Sequence, residues 1–240
     1  MSKIPVMEIF GPTIQGEGMM TGQKTMFVRT AGCDYRCRWC DSSFTWDGSG
    51  KNLIRQMSAK EIWQELKKTG GDGFSSVTLT GGNPALHPKL GELVAILKKN
   101  RIKTSLETQG SRWQDWFYDI DELTLSPKPR SSAMTADFET LDEIIERLTA
   151  AGCSFSLKIV VFDDADYEFA KNVHKRYPHV PFCLQTGNEY INMEELRPLR
   201  EKLLAKYEWL LNKALNDPGL KDVKVLPQMH TIVWGNMRGV

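Results

Sequence analysis

From residue 50 onward the sequence alternates short apolar runs of β type with amphipathic runs of helical period, and this alternation restricts the fold more than any other feature. MSAKEIWQELKKTGG (57–71) predicts a helix: Ser58 and Glu61 form a capping box, Ile62 and Leu66 share a face, and Gly70 and Gly71 stop it. SSVTLT (75–80) predicts a buried strand and 88–99 a helix with Leu90, Val94 and Leu97 on one face. Strands follow near 102–107 and 122–126, then a helix over 141–150 and the strand SFSLKIVVF (154–162). A helix over 165–176, a strand at 181–185, a helical region over 193–215 and a strand at 223–228 complete the series. Strands that alternate with helices imply a parallel sheet, because a parallel crossover needs room for a helix. About six such units predict an α/β fold, a partial (open) TIM-like β/α barrel.

In parallel barrels the chemistry lies at the C-terminal strand ends. Those ends carry Gly81-Gly82-Asn83-Pro84, Glu107-Thr108-Gln109, Ser126-Pro127-Lys128, Gln185 and Gln228. The 240 residues are 41% hydrophobic and 25% charged, enough for a core that folds without a structural metal. The formal charge of +1 points to no nucleic-acid partner. No run is long and apolar enough for a membrane span, and Pro5, Glu8 and Pro12 break the N-terminal stretch, so a cytoplasmic location is expected. Residues 1–240 read as one domain.

Three of the five cysteines, Cys33, Cys37 and Cys40, fall inside AGCDYRCRWCDSSF (31–44) with the spacing C-x3-C-x2-C. Three clustered cysteines out of an odd total make a poor disulfide framework and point to metal or redox chemistry. Three thiolates around a 4Fe–4S cube leave one iron open for a ligand. The alternative is a zinc module whose fourth ligand comes from Cys153, Cys183 or a histidine. Otherwise Cys153 and Cys183, in or beside strands, read as small buried hydrophobes.

The cysteine spacing, with Trp39 just before the last cysteine, resembles the radical S-adenosylmethionine (SAM) superfamily, and Gly81-Gly82-Asn83-Pro84 resembles its GGEP-type motif. EIFGPTIQGEG (8–18), FVRTAGC (27–33), CDSSFTWDG (40–48), ETQG (107–110), SPK (126–128) and the ending LPQMHTIVWGNMRGV narrow the likeness to the 7-carboxy-7-deazaguanine synthase family, nearest its Bacillus-type members. The resemblance implies the radical SAM type of barrel with an N-terminal cluster-binding loop (30–46) and a C-terminal segment, about 227–240, that caps the substrate. It implies a 4Fe–4S cluster on Cys33, Cys37 and Cys40, SAM against Trp39, Cys40, Asp41, Gly82, Glu107, Ser126, Pro127 and Lys128, and Mg²⁺ on Ser42, with Asp41 and Ser43 as alternatives. It implies a substrate site of Ile14, Gln15, Gly16, Arg29, Thr80, Gln228, His230 and Val240.

The same resemblance implies the activity: ring contraction of 6-carboxy-5,6,7,8-tetrahydropterin to 7-carboxy-7-deazaguanine with loss of ammonia, a step toward queuosine and other 7-deazapurines. The cluster reduces SAM to methionine and a 5′-deoxyadenosyl radical, which takes a hydrogen from the substrate and later recovers it, so SAM is used catalytically and no side chain serves as a strong nucleophile. A flavodoxin or ferredoxin donor and a homodimer go with it. On the residues alone, QGEG also reads as a turn, Arg29 as a surface residue, Ser42 as a loop serine, Glu107 as a surface carboxylate and His230 as a structural histidine. A glycyl-radical activase with the same cysteine spacing is the second enzymatic reading, and the zinc module the non-enzymatic one.

Overall fold

The structure is a computed structural model and describes residues 3–240, so the first two residues of the domain expected over 1–240, and of the N-terminal stretch, lie outside the described residues. Nine strands form one sheet: β1 (Ile4–Ile14), β2 (Lys24–Thr30), β3 (Arg55–Met57), β4 (Ser76–Gly81), β5 (Lys103–Thr108), β6 (Glu122–Leu125), β7 (Phe155–Val161), β8 (Phe182–Thr186) and β9 (Val223–Leu226). The spatial order is β3-β1-β2-β4-β5-β6-β7-β8-β9, with β3 and β9 as free edges, so the barrel stays open. β2 and β4 through β9 are mutually parallel; β1 pairs antiparallel with both β2 and β3. Helices α1 (Ala59–Gly70), α2 (Leu90–Lys99), α3 (Phe138–Ala150), α4 (Asp164–Arg176) and α5 (Leu196–Leu215) provide crossovers. Between β5 and β6 a 3₁₀ turn, Asp115–Asp119, replaces a helix. Among the described residues no helix is long and apolar enough to cross a membrane.

Each parallel strand has two unlike faces, because side chains alternate along a strand. Val77, Leu79, Leu106, Leu123, Leu125, Leu157, Ile159, Val161 and Leu184 join the apolar core with Ile62, Leu66, Leu93, Leu97, Ile144 and Leu148 of the helices. The opposite face carries Ser76, Thr78, Ser105, Thr124, Ser156, Lys158 and Gln185, all buried. Hydroxyls bridge these strands, as in Thr78 Oγ1 to Ser105 Oγ at 2.8 Å. An ordinary parallel barrel fills its interior with branched apolar residues. Here the interior is polar, which reserves it for a ligand.

The capping box is present: the Glu61 N–H donates to Ser58 Oγ, and the Ser58 N–H donates to Glu61 Oε2 at 2.7 Å. α3 starts earlier than the apolar period at 141 suggests, because Asp137 accepts from the N–H groups of Glu139 and Thr140 and adds a turn. α5 begins at Leu196 rather than at 193, leaving Pro198 in its first turn, where a missing N–H costs no helical bond. The sheet departs from the expected all-parallel one through antiparallel β1 and β3, and the C-terminus departs as well. The strand expected over 223–228 ends at Leu226, and Gln228 opens a short helix, α6 (Met229–Trp234). Its start is docked rather than autonomous: the Met229 N–H donates to the Gly16 carbonyl at 2.9 Å, and Arg200 from α5 donates to the Ile232 and Val233 carbonyls. Replacing Ser58 by Ala is expected to cost about 1 kcal/mol, read as a fall of ~2–4 °C in thermal midpoint for a chain of this size.

Candidate active site

The cysteine loop joins β2 to β3 and is held at both flanks. The Gly32 N–H donates to the Thr45 carbonyl at 2.8 Å, closing its base, and the Arg38 N–H donates to the Ser132 carbonyl at 2.9 Å. The Trp39 indole N–H donates to Ser131 Oγ at 3.0 Å, and its ring packs on Phe162 with centroids 4.8 Å apart. Gly82 has no room for a side chain against this loop: a Cβ there would lie 2.1 Å from the Gly32 carbonyl oxygen and 3.0 Å from the Cys33 Cβ. Its N–H donates to the Thr30 carbonyl. The root of the cysteine loop thus lies against the Gly82 backbone, which also lines the cavity described next.

All three cysteines line one cavity of about 410 Å³ at the C-terminal ends of the parallel strands. Among the described residues the set that brings three ligand atoms within 4.8 Å of one another is Glu17, Asp41 and His230; the three sulfurs do not form so close a set. Tetrahedral zinc would need sulfurs about 3.8 Å apart at normal Zn–S lengths, closer than these three lie to one another. Burial pushes the Cys33 and Cys37 thiols up, that of Cys37 to about 11, so ligation must release their protons. Cys33 Sγ accepts N–H groups from Tyr35 (3.4 Å) and Gln109 (3.7 Å), and Cys40 Sγ accepts the Trp46 indole N–H at 3.4 Å. Cys183 is fully buried and Cys153 half-buried against the core.

Ile14, Gln15, Gly16, Arg29, Thr80, Gln228, His230 and Val240 all line this cavity, and so do Trp39, Cys40, Asp41, Gly82, Glu107, Ser126, Lys128 and Ser42. Pro127 does not; it is buried outside the lining. Several of these side chains already have partners. Arg29 donates through Nε to Glu8 at 2.6 Å and its guanidinium lies 5.5 Å from the Phe10 ring centroid. Glu107 accepts from Lys158 at 3.2 Å and from the Thr80 hydroxyl at 3.3 Å, so it is an inner member of an ion cluster rather than a surface carboxylate. Lys128 is half-buried, with its ammonium donating to Ser126 Oγ at 2.9 Å and 5.9 Å from the Trp39 ring centroid. Burial pulls its pKa down. Gly16 is needed where it is, since a Cβ would lie 2.4 Å from His230 Nδ1.

The motifs alone do not reveal the charged centre. Lys158 of β7, with its side chain 6% exposed, donates to Glu17 at 2.6 Å as well as to Glu107. Gln228 Nε2 donates to the other Glu17 oxygen at 2.9 Å, and the Gly18 N–H donates to Gln185 Oε1 at 3.0 Å. Burial opposes ionisation of Glu17, but Lys158 and His230 outweigh it and hold the carboxyl well below the usual range. The same balance raises Lys158: burial disfavours its charge, and Glu107 and Glu17 more than restore it. Gln185 Nε2 and Gln228 Oε1 are buried without partners among the described residues, so a bound ligand or water has polar groups left to satisfy here. The signal for Lys158 was visible, a lone cation inside SFSLKIVVF, since a fully buried lysine requires a counter-charge. Lys158→Met is expected to cost about 3–5 kcal/mol by leaving two inward carboxylates uncompensated. Denaturant unfolding checks this, and a loss below ~1 kcal/mol would show that Glu17 and Glu107 are solvated without it.

The geometry agrees with what the chain is similar to. The radical SAM superfamily profile matches residues 27–180. The 7-carboxy-7-deazaguanine synthase of Bacillus cereus is 61% identical over 240 residues, all of both chains. That of Bacillus subtilis is 58% identical over 239 residues, 99% of this chain and 98% of its own. Among solved structures, QueE from Escherichia coli superposes with a TM-score of 0.67 at 21% identity over 95% of each chain, which supports the fold. The chain belongs to the radical SAM superfamily and, within it, to the 7-carboxy-7-deazaguanine synthase family.

Proposed function

We propose that this chain converts 6-carboxy-5,6,7,8-tetrahydropterin to 7-carboxy-7-deazaguanine and ammonia, within one radical SAM domain spanning 1–240. The observation that carries this reading is that the three cysteines, the polar strand faces and the C-terminal segment share one cavity in a chain matched end to end by synthases. The reaction is redox-neutral, with the ring nitrogen leaving as ammonia and every other heavy atom retained. Cys33, Cys37 and Cys40 hold the 4Fe–4S cluster. Bound there, the cluster would supply the electron transfer to SAM that starts hydrogen abstraction from the substrate.

The chain's own residues bind, orient and exclude water. SAM lies along Trp39, Cys40 and Asp41, with Gly82, Glu107, Ser126 and Lys128 around it. Pro127 contributes by stiffening that loop. The substrate sits between Ile14-Gln15-Gly16, Thr80, Gln228, His230 and Val240. Arg29, whose Nε is committed to Glu8, keeps its two terminal nitrogens for the substrate carboxylate, a geometry that a guanidinium suits. Residues 227–240 shut the cavity. Their closure rests on Arg238, which donates to Glu8 at 3.1 Å and stacks its guanidinium 3.5 Å from the Phe44 ring centroid.

Ser42 would hold Mg²⁺, a hard cation that keeps part of its hydration. Asp41 stands beside Ser42 and brings its carboxylate near Glu17 and His230. A flavodoxin or ferredoxin delivers the electron, the chain works as a homodimer, and the enzyme is cytoplasmic.

The test is anaerobic turnover of reconstituted protein with SAM, Mg²⁺, reductant and the carboxytetrahydropterin, followed by mass spectrometry. Product from the wild type and none from Cys37→Ala is the expected result. 5′-Deoxyadenosine without deazaguanine would leave the superfamily chemistry and overturn the substrate. An activase would instead require a protein substrate. Ser42→Ala is expected to retain iron and sulfide while losing ~10–100-fold in Mg²⁺-dependent turnover; an unchanged Mg²⁺ response moves the metal to another ligand.

A further inference from the structure

Next to the first cysteine lies a hydrogen-bond network that the proposed activity does not use. Asp34 follows Cys33, and its side chain is 21% exposed. Its Oδ1 accepts Gln109 Nε2 at 2.6 Å and Asn83 Nδ2 at 2.9 Å. Its Oδ2 accepts the Ser111 hydroxyl at 2.8 Å, with Arg112 Nε at 3.6 Å. Asn83 is fully buried, and its amide orientation is settled by its partners: Nδ2 also donates to Ser111 Oγ at 3.1 Å, while Oδ1 accepts the Thr108 hydroxyl at 2.8 Å and the Ala85 N–H at 3.1 Å. The Asn83 N–H donates to the Gly32 carbonyl at 2.8 Å. One carboxylate thus ties the start of the cysteine loop to the ends of both β4 and β5.

Gln109 is the member that reaches the sulfur. It is 7% exposed, and its amide nitrogen, besides the bond to Asp34, donates to Cys33 Sγ at 3.7 Å. The Asp34 carboxylate, at the shorter distance, dictates where that NH₂ group sits and so aims its second hydrogen at the sulfur. With the backbone N–H of Tyr35, Cys33 accepts two N–H groups. Hydrogen bonds to cluster sulfurs offset negative charge and help set the reduction potential.

Asn83 also suits the neighbourhood of Asp34. The superfamily's GGEP-type motif has an acid at this position; an acid here would face the Asp34 carboxylate across the present 2.9 Å bond, whereas the amide donates to it.

Resting on the reading that Cys33, Cys37 and Cys40 hold the cluster, we infer that Gln109 and Asp34 are positioning residues for it. Asp34 locks the ligand loop onto the strand ends and orients Gln109, whose N–H to Cys33 Sγ raises the cluster's reduction potential.

The test compares the anaerobically reconstituted wild type with Gln109→Met and Asp34→Ala, using iron and sulfide content, a potentiometric titration followed by electron paramagnetic resonance, the rate of cluster loss to a chelator, and the melting temperature of the metal-free chains. Gln109→Met keeps side-chain volume; it removes the amide's bonds to Cys33 Sγ and Asp34 and leaves Asp34 its bonds from Asn83 and Ser111. It is expected to load as wild type, melt as wild type and show a lower midpoint potential. Asp34→Ala is expected to lose its cluster to chelator ~10-fold faster. A Gln109→Met protein with wild-type potential overturns the sulfur role whatever Asp34→Ala does, and wild-type chelator resistance in Asp34→Ala overturns the locking role. A wild-type chain that takes up no iron and sulfide overturns the cluster reading itself, an outcome separate from either variant result.

Discussion

The ion cluster of Lys158 with Glu17 and Glu107 is the interaction on which the interior of this barrel depends. A buried ammonium is tolerated only where its charge is matched, and here two carboxylates from different parts of the chain meet it within 2.6 and 3.2 Å. One comes from the loop after β1 and the other from β5, while Lys158 stands on β7. The pairing therefore draws the loop after β1 inward across the mouth of the sheet. With the hydroxyl ladder of Thr78 and Ser105 beneath it, it lets the strands present a polar face inward while their apolar face packs on the helices.

Two further attachments complete the cavity. The cysteine loop is fastened at its root to the strand ends, where the Gly82 backbone has no room for a Cβ against Gly32. The C-terminal segment is fastened at both of its ends, by Met229 to Gly16 and by Arg238 to Glu8. Glu8 accepts from both Arg29 and Arg238, so the residue offered for the substrate carboxylate and the closing segment share one counter-ion.

Much of this was legible from residue order. Helix α1 with its Ser58–Glu61 box, the strands β4 through β8, and the polar strand ends follow from local period and turn chemistry. The cysteine spacing, with the flanking segments, indicated the family. Less legible were the elements that owe their form to distant partners. Helix α6 is six residues long, below what propensity sustains alone, and exists because Gly16 and Arg200 satisfy its backbone. Antiparallel β1 was hidden because its burial does not follow a clean alternation, with register shifts against β2 on either side of Glu8 through Phe10.

By itself the sequence determined the fold class, the C-x3-C-x2-C cysteine loop and the set of polar groups at the strand ends, because each depends on residues close together in the chain. Only the tertiary structure decided which of those groups are free and which are engaged. Glu107 is bound to Lys158, Arg29 to Glu8, and Gln109 to Asp34 and Cys33, each pair being 21 to 76 residues apart. Hydrogen bonds and ion pairs of that kind depend on distance and angle in space, to a few tenths of an ångström, and residue order carries no such information until the strands are in register.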